Sequence, residues 1–312
     1  MALSASARAV LDQLALLPAP PDFATITPQE ETEYIGASRA ATAVPREGEA
    51  VARVDNVTVD DSGCAARVYI PESAVPGVGL ILHFHGGGWL TGSIEMSDDA
   101  CRFLANRSGC VVVSAAYRFA PEHPFPAAAD DAYAAFEWAA SHAGDFGGAD
   151  GTRIAVVGTS AGATLAAATC LRAADVGARA PVLQVLVYPP LDATFQSPSY
   201  VDNATGYYLT AEQMRWFWSK YAGQSSREHP YLSPLFASDL RPQPPALIIT
   251  AEFDPLRDDG ERYATRLREA GVTVELRRVD GQIHSFMGLL ATVPEARECW
   301  TLVASRARAT LA

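Results

Sequence analysis

Apolar positions in this chain fall into two patterns: short continuous runs, and longer stretches with helical spacing that alternate with the runs over the second half. Residues 51–59, 65–70 and 78–82 read as strands, the first two close enough for an antiparallel hairpin. Further strands are predicted over 110–116, 154–157, 183–187, 246–251 and 272–279, and helices over 127–141, 161–174, 257–270 and 294–308. Runs that are apolar at every position suit a sheet covered on both faces. Strands joined by helices then predict an eight-stranded, mostly parallel, doubly wound α/β sheet with helices on both faces.

Two regions break the alternation. Residues 1–48 open with an amphipathic helix over 7–17, break at Pro18, Pro20 and Pro21, and continue as a polar, acidic stretch through Glu30, Glu31 and Glu33 that does not resemble a sheet element. Residues 189–245 are rich in Tyr, Pro, Ser and Trp and hold one helix candidate over 210–221, with Thr210 as its cap and Gln213 at the capping-box position. An insertion of this length between core strands, over the carboxyl ends where ligands bind, predicts a lid. The division expected is a catalytic core of 49–188 and 246–312, with a cap built from 1–48 and 189–245.

Composition narrows the classes. Of 312 residues, 49% are hydrophobic and 19% charged, which suits a globular protein with a substantial core. The formal charge of −12, from 24 basic and 36 acidic residues, opposes non-specific binding to nucleic acid or an anionic membrane. Five scattered cysteines without Cys-x-x-Cys spacing suggest reduced thiols and a cytoplasmic setting rather than a disulfide framework or zinc site. No basic leader with an apolar core opens the chain, and no apolar run is long enough for a membrane span. No cofactor is expected.

The chemistry begins at Gly158-Thr159-Ser160-Ala161-Gly162, between a predicted strand and a predicted helix. On such a turn a serine hydroxyl is lifted clear of the sheet, flanking glycines let strand and helix approach, and the helix directs free N–H groups over the serine. His85-Gly86-Gly87-Gly88-Trp89 follows the third strand, where consecutive glycines let backbone N–H groups face an oxyanion. Asp254 follows the strand 246–251 and is the candidate acid, with Glu252 its main rival. His284 is the candidate base, because it alone of six histidines follows both Ser160 and Asp254 in a post-strand loop. His83 lies within a strand, His142 ends a helix, and His123 and His229 precede prolines. His83 and His85 alternate on a strand, so both side chains could share a face, but no third metal ligand is evident and no metal is expected. The order Ser, Asp, His is that of an α/β-hydrolase triad.

These residues resemble the hormone-sensitive-lipase-like carboxylesterases of the α/β-hydrolase superfamily, in their GTSAG branch. The resemblance spans about residue 51 to the C-terminus and rests on the two motifs above, on Tyr117 to Ala128, on Asp254-Pro255-Leu256-Arg257-Asp258 and on Ile283-His284-Ser285-Phe286. It implies Ser160 as nucleophile, His284 as base, Asp254 as acid, and the N–H groups of Gly87, Gly88 and Ala161 as oxyanion hole, with His85, Gly86, Gly158 and Gly162 supporting them. It also implies a cap from the two irregular regions and small esters with short to medium acyl chains as substrates. Thr159 stands where aspartate is commoner, Ala163 where glycine is frequent, and Phe119 where leucine is usual. Trp89, Tyr188, Tyr208 and Trp216 are candidates for the substrate pocket, with Tyr207 and Trp218 beside them, although lid aromatics also serve the lid's own packing. A small-molecule receptor of the same fold, or a hydrolase of amides or lactones, stands as the alternative. The last strand could pair across a homodimer.

Overall fold

The computed structural model describes residues 2–44, 46, 48–59, 62–177 and 179–312. Eight strands form one sheet in the order β1-β2-β4-β3-β5-β6-β7-β8. They are β1 (Arg53–Thr58), β2 (Ala65–Ile70), β3 (Gly79–Phe84), β4 (Val111–Ala115), β5 (Asp150–Thr159), β6 (Leu183–Val187), β7 (Ala246–Phe253) and β8 (Val274–Ile283). β2 is antiparallel to both β1 and β4, and the other pairings are parallel. This is the expected α/β-hydrolase sheet.

Continuous apolar runs supply both faces. In β3, Leu80, Leu82 and Phe84 join one core with helices α4 (Ala127–His142), α5 (Ala161–Asp175) and α8 (Arg257–Glu269). Ile81 points the other way, into a core with α3 (Asp98–Ser108) and α9 (Pro294–Leu311). The same alternation runs through Val111 to Ala115 and Ile154 to Val157, so each strand is committed to two cores at once.

The cap regions also differ from the sequence expectation in detail. Besides α1 (Ala5–Leu14), the acidic stretch forms a second helix, α2 (Pro28–Thr42). Thr27 caps it, and the Glu30 side chain closes a capping box on the Thr27 N–H. The insertion holds the short α6 (Ser199–Asp202) and α7 (Ala211–Ala222). Thr210 caps α7 as expected, but Gln213 does not complete a capping box: its amide donates instead to the Tyr34 hydroxyl on α2, 3.0 Å away. Phe23, Tyr34 and Trp216 pack ring on ring, and Lys220 pairs with Glu31 at 2.5 Å, so the two irregular regions meet.

The insertion is tied to α8 by buried carboxylates. Asp259 accepts the N–H groups of Leu191 and Asp192 and the Ser197 hydroxyl, while Asp192 binds Arg262 at 2.9 Å. Burial, with the nearby Asp192 charge, pushes the Asp259 carboxyl up to about 8. Its pKa is raised on folding, so between about 4 and about 8 the unfolded chain binds fewer protons at this group, and the stability that Asp259 contributes falls as pH rises through that window. Asp259→Asn, which cannot ionise, is expected to flatten that fall in the thermal midpoint across the same window; an unchanged slope would show that other groups set it.

Candidate active site

The carboxyl ends of β3, β5, β7 and β8 lead into the loops that carry every catalytic candidate. The turn between β5 and α5 is the tightest. Ser160 has φ of 52° and ψ of −123°, a conformation a serine adopts only where the surroundings enforce it, and its N–H donates to the Val187 carbonyl at 2.9 Å. A Cβ on Gly162 would stand 2.2 Å from the Phe84 carbonyl oxygen, and one on Gly158 would stand 2.1 Å from that of Gly162. Only glycine lets α5 begin this close to β3 and β5, which is what holds the serine at the helix N-terminus.

Three side chains then form a relay. Ser160 Oγ lies 3.0 Å from His284 Nε2, and His284 Nδ1 lies 2.7 Å from Asp254 Oδ2. Asp254 is fully buried and His284 nearly so. The second Asp254 oxygen accepts the Leu256 N–H at 2.9 Å, which fixes the carboxylate plane. With the carboxylate on Nδ1, that nitrogen carries the ring proton and leaves Nε2 free to accept from the serine hydroxyl. Glu252, the rival acid, faces elsewhere: its carboxylate accepts the Gly281 N–H at 2.7 Å and so supports the loop that presents His284. The Tyr188 ring packs against His284 with centroids 4.7 Å apart.

The glycine loop is shaped by contacts that exclude a side chain. Gly87 has φ of 123° and Gly88 of 61°, and a Cβ on Gly88 would meet the Phe217 ring at 2.4 Å. Among the described residues, the N–H groups of Gly87, Gly88 and Ala161 have no acceptor. His85 steadies the loop: its Nδ1 lies 2.8 Å from the Gly86 carbonyl, its ring stacks on Tyr117, and the Tyr117 hydroxyl donates to the His85 carbonyl at 2.9 Å. Burial pushes the His85 imidazole down to about 4, so it serves as a neutral donor. No three His, Cys, Asp or Glu side chains gather round a common point among the described residues. Thr159 borders the cavity beside Gly86.

A cavity of about 400 Å³ opens over Ser160 and His284. Tyr188, Tyr208 and Trp89 border it, but the Trp89 ring is stacked on Tyr221 at 4.4 Å and is fully buried. Trp216 does not reach it: its ring packs on Phe23 and Tyr34, and its Nε1 donates to Glu31 at 3.3 Å. The wall comes instead from Leu209, Met214 and Phe217. Met214 and Phe217 stand three residues apart on one face of α7, and Trp216 and Lys220 stand four apart on the face toward α2. That spacing was readable, but which face met the cavity was not.

Asn203, between α6 and α7, was not anticipated. Its buried amide donates to the Glu252 and Asp254 carbonyls, both at 3.1 Å, so the cap insertion braces the acid loop directly. Asn203→Ala is expected to lower kcat by about 10-fold or more through misplacement of Asp254, with little change in KM. A rise in KM at constant kcat would assign the residue to substrate binding instead.

A family model described as α/β hydrolase fold matches residues 81–288. The carboxylic ester hydrolase LipN of Mycobacterium tuberculosis is 45% identical over 232 residues, 72% of this chain and 61% of that protein's length. An arylesterase of Saccharolobus solfataricus is 40% identical, with 80% of this chain and 81% of that protein aligned. Among solved structures, an ester hydrolase from the metagenome of Lake Arreo, complexed with a bipyridine phosphonate derivative, superposes with a TM-score of 0.87 at 37% identity, covering 98% of each chain. Among the described residues no helix is long and apolar enough to cross a membrane. The sheet, the serine turn and these relatives agree, and the chain belongs to the α/β-hydrolase family, within its hormone-sensitive-lipase-like branch of carboxylesterases.

Proposed function

We propose that this carboxylesterase hydrolyses small esters with short to medium acyl chains, with Ser160 as nucleophile, His284 as base and acid, and Asp254 as the carboxylate that orients it. The observation that carries this reading is the relay Ser160–His284–Asp254, at 3.0 Å and 2.7 Å, at a cavity also lined by Gly87, Gly88 and Ala161, whose N–H groups have no acceptor among the described residues. Ser160 Oγ attacks the ester carbonyl carbon as its proton passes to His284 Nε2. The carbonyl oxygen becomes an oxyanion within reach of the N–H groups of Gly87, Gly88 and Ala161. As the tetrahedral centre collapses, His284 returns the proton to the leaving alcohol, and the acyl group stays on Ser160. Water then attacks, His284 takes its proton, and the acid leaves with Ser160 restored.

The division into a core of 49–188 and 246–312 and a cap of 1–48 and 189–245 is supported by the contacts of α2 with α7. The cavity of about 400 Å³ supports the size class of the substrate. A series of p-nitrophenyl esters of increasing acyl length is expected to peak among short and medium chains and fall for long ones; a maximum on the longest chains would overturn the size assignment. The five thiols are free of disulfides, which supports a cytoplasmic setting. β8 forms one end of the sheet, and its outer edge is where two copies would pair, a state that sedimentation would read.

A further inference from the structure

β8 does not run straight into the loop that carries His284. Ala251 pairs with Val279 and Phe253 with Ile283, so Glu252 alone on β7 faces three residues of β8, Asp280, Gly281 and Gln282. His284 follows Ile283 directly, one residue beyond this bulge. A bulge beside an active site re-aims the side chains that follow it, and its backbone groups need partners from outside the ladder.

Those partners come from two sides. The Gly281 N–H donates to the Glu252 carboxylate at 2.7 Å, and the Gly281 carbonyl accepts the Ser4 N–H at 3.0 Å. Gly281 has φ of 73°, and a Cβ on it would stand 2.8 Å from Ser4 N, so the N-terminal segment is seated directly on the bulge. Gln282 is fully buried and completes the seat: its amide donates to Ser4 Oγ at 3.0 Å and to Ser6 Oγ at 2.8 Å. The Ser6 hydroxyl donates to Glu295, in the first turn of α9, at 2.9 Å, which leaves the Ser4 hydroxyl as donor in its 3.0 Å contact with Ser6. From these serines α1 continues to the cavity, which its Val10 and Leu14 line together with His284.

Stability alone does not call for a glutamine here. Its carbonyl oxygen is buried without a partner among the described residues, a cost that methionine, of similar volume, would avoid. What the amide supplies is placement, because its two donors fasten the bulge to the start of α1, and through Ser6 to α9, two residues before His284. Resting on the catalytic reading above, we propose that Gln282 is a positioning residue for His284, acting through Ser4 and Ser6, so that the N-terminal segment holds the base toward Ser160 as well as walling the cavity. Asn203 braces the acid from one cap region, and Gln282 braces the base from the other.

Gln282→Met is expected to lower kcat on p-nitrophenyl butanoate by about 10-fold or more, with KM within about threefold and the thermal midpoint unchanged or higher. Rates are taken per active site, counted from the p-nitrophenol released by diethyl p-nitrophenyl phosphate, so an unfolded fraction does not enter. The rate of that phosphorylation draws on the same base and is expected to fall by a similar factor, which a merely structural residue would not cause. Ser6→Ala is expected to lower kcat by about threefold, and to add little in a double variant with Gln282→Met, because both changes break one connection. A kcat within about twofold of the unaltered enzyme in Gln282→Met, a loss carried by KM, or losses that multiply in the double variant overturns the proposal. If Gln282→Met folds poorly, an unchanged kcat in Ser4→Ala/Ser6→Ala, which leaves Gln282 in place, overturns it equally. Absence of p-nitrophenol release from the unaltered enzyme would instead overturn the catalytic reading itself.

Discussion

Ser160→Ala is expected to abolish ester hydrolysis, with kcat falling by about 10⁶ while the thermal midpoint stays close to that of the unaltered protein. The expected loss is this large because the serine, imidazole and carboxylate act as a unit: without Oγ there is no acyl-enzyme and His284 has no proton to receive. A remnant of about 10³–10⁴ over water would persist from the oxyanion hole and substrate binding. The turn itself is held by the Ser160 N–H on Val187 and by Gly158 and Gly162, none of which depends on the hydroxyl. Activity within tenfold of the unaltered enzyme would contradict the assignment of Ser160.

Gly87→Ala is expected to have the next largest effect. A Cβ there would stand 2.2 Å from the Thr91 carbonyl oxygen, and φ of 123° is closed to alanine, so the loop must move. The Gly87 and Gly88 N–H groups, proposed as the oxyanion donors, move with it. Loss of one such donor costs about 10²–10³ in kcat, and displacement of the Gly87 and Gly88 N–H groups together should reach at least that. Rates measured at a temperature where the variant is shown to be folded separate this from unfolding. A kcat within fivefold would mean that these N–H groups do not carry the developing charge.

Much of this was legible in the linear sequence, for a physical reason. The serine turn, the glycine loop, Asp254 and His284 each follow a strand, and strands that are apolar at every position stand out; β2 and β6 begin and end where expected. The helices α2 and α3 were missed. α2 buries only Ile35 and owes its place to pairs across the cap, such as Glu31 with Lys220, although Thr27 and Glu30 spell its capping box. α3 carries Asp98 and Asp99 in its first turn and Gly109 in a left-handed cap, local start and stop signals for a helix.

The pocket was less legible than the triad. Catalytic residues are set by position after a strand, but a wall is set by how one helix is rotated on another. Trp216 was expected in the pocket and instead packs inside the cap, while its neighbour Phe217 lies on Gly88. Asn203 carries no local motif. Its place rests on contacts with the Glu252 and Asp254 carbonyls, about 50 residues away in the chain.

Acyl transfer through Ser160 is tested most directly by trapping the serine. Incubation with diethyl p-nitrophenyl phosphate, followed by intact-mass and peptide analysis, should show one diethylphosphoryl adduct on Ser160, formed together with one equivalent of p-nitrophenol. The adduct should be absent in Ser160→Ala and form far more slowly in His284→Ala. An adduct on another residue, or inactivation without a covalent mass increase, would contradict the account.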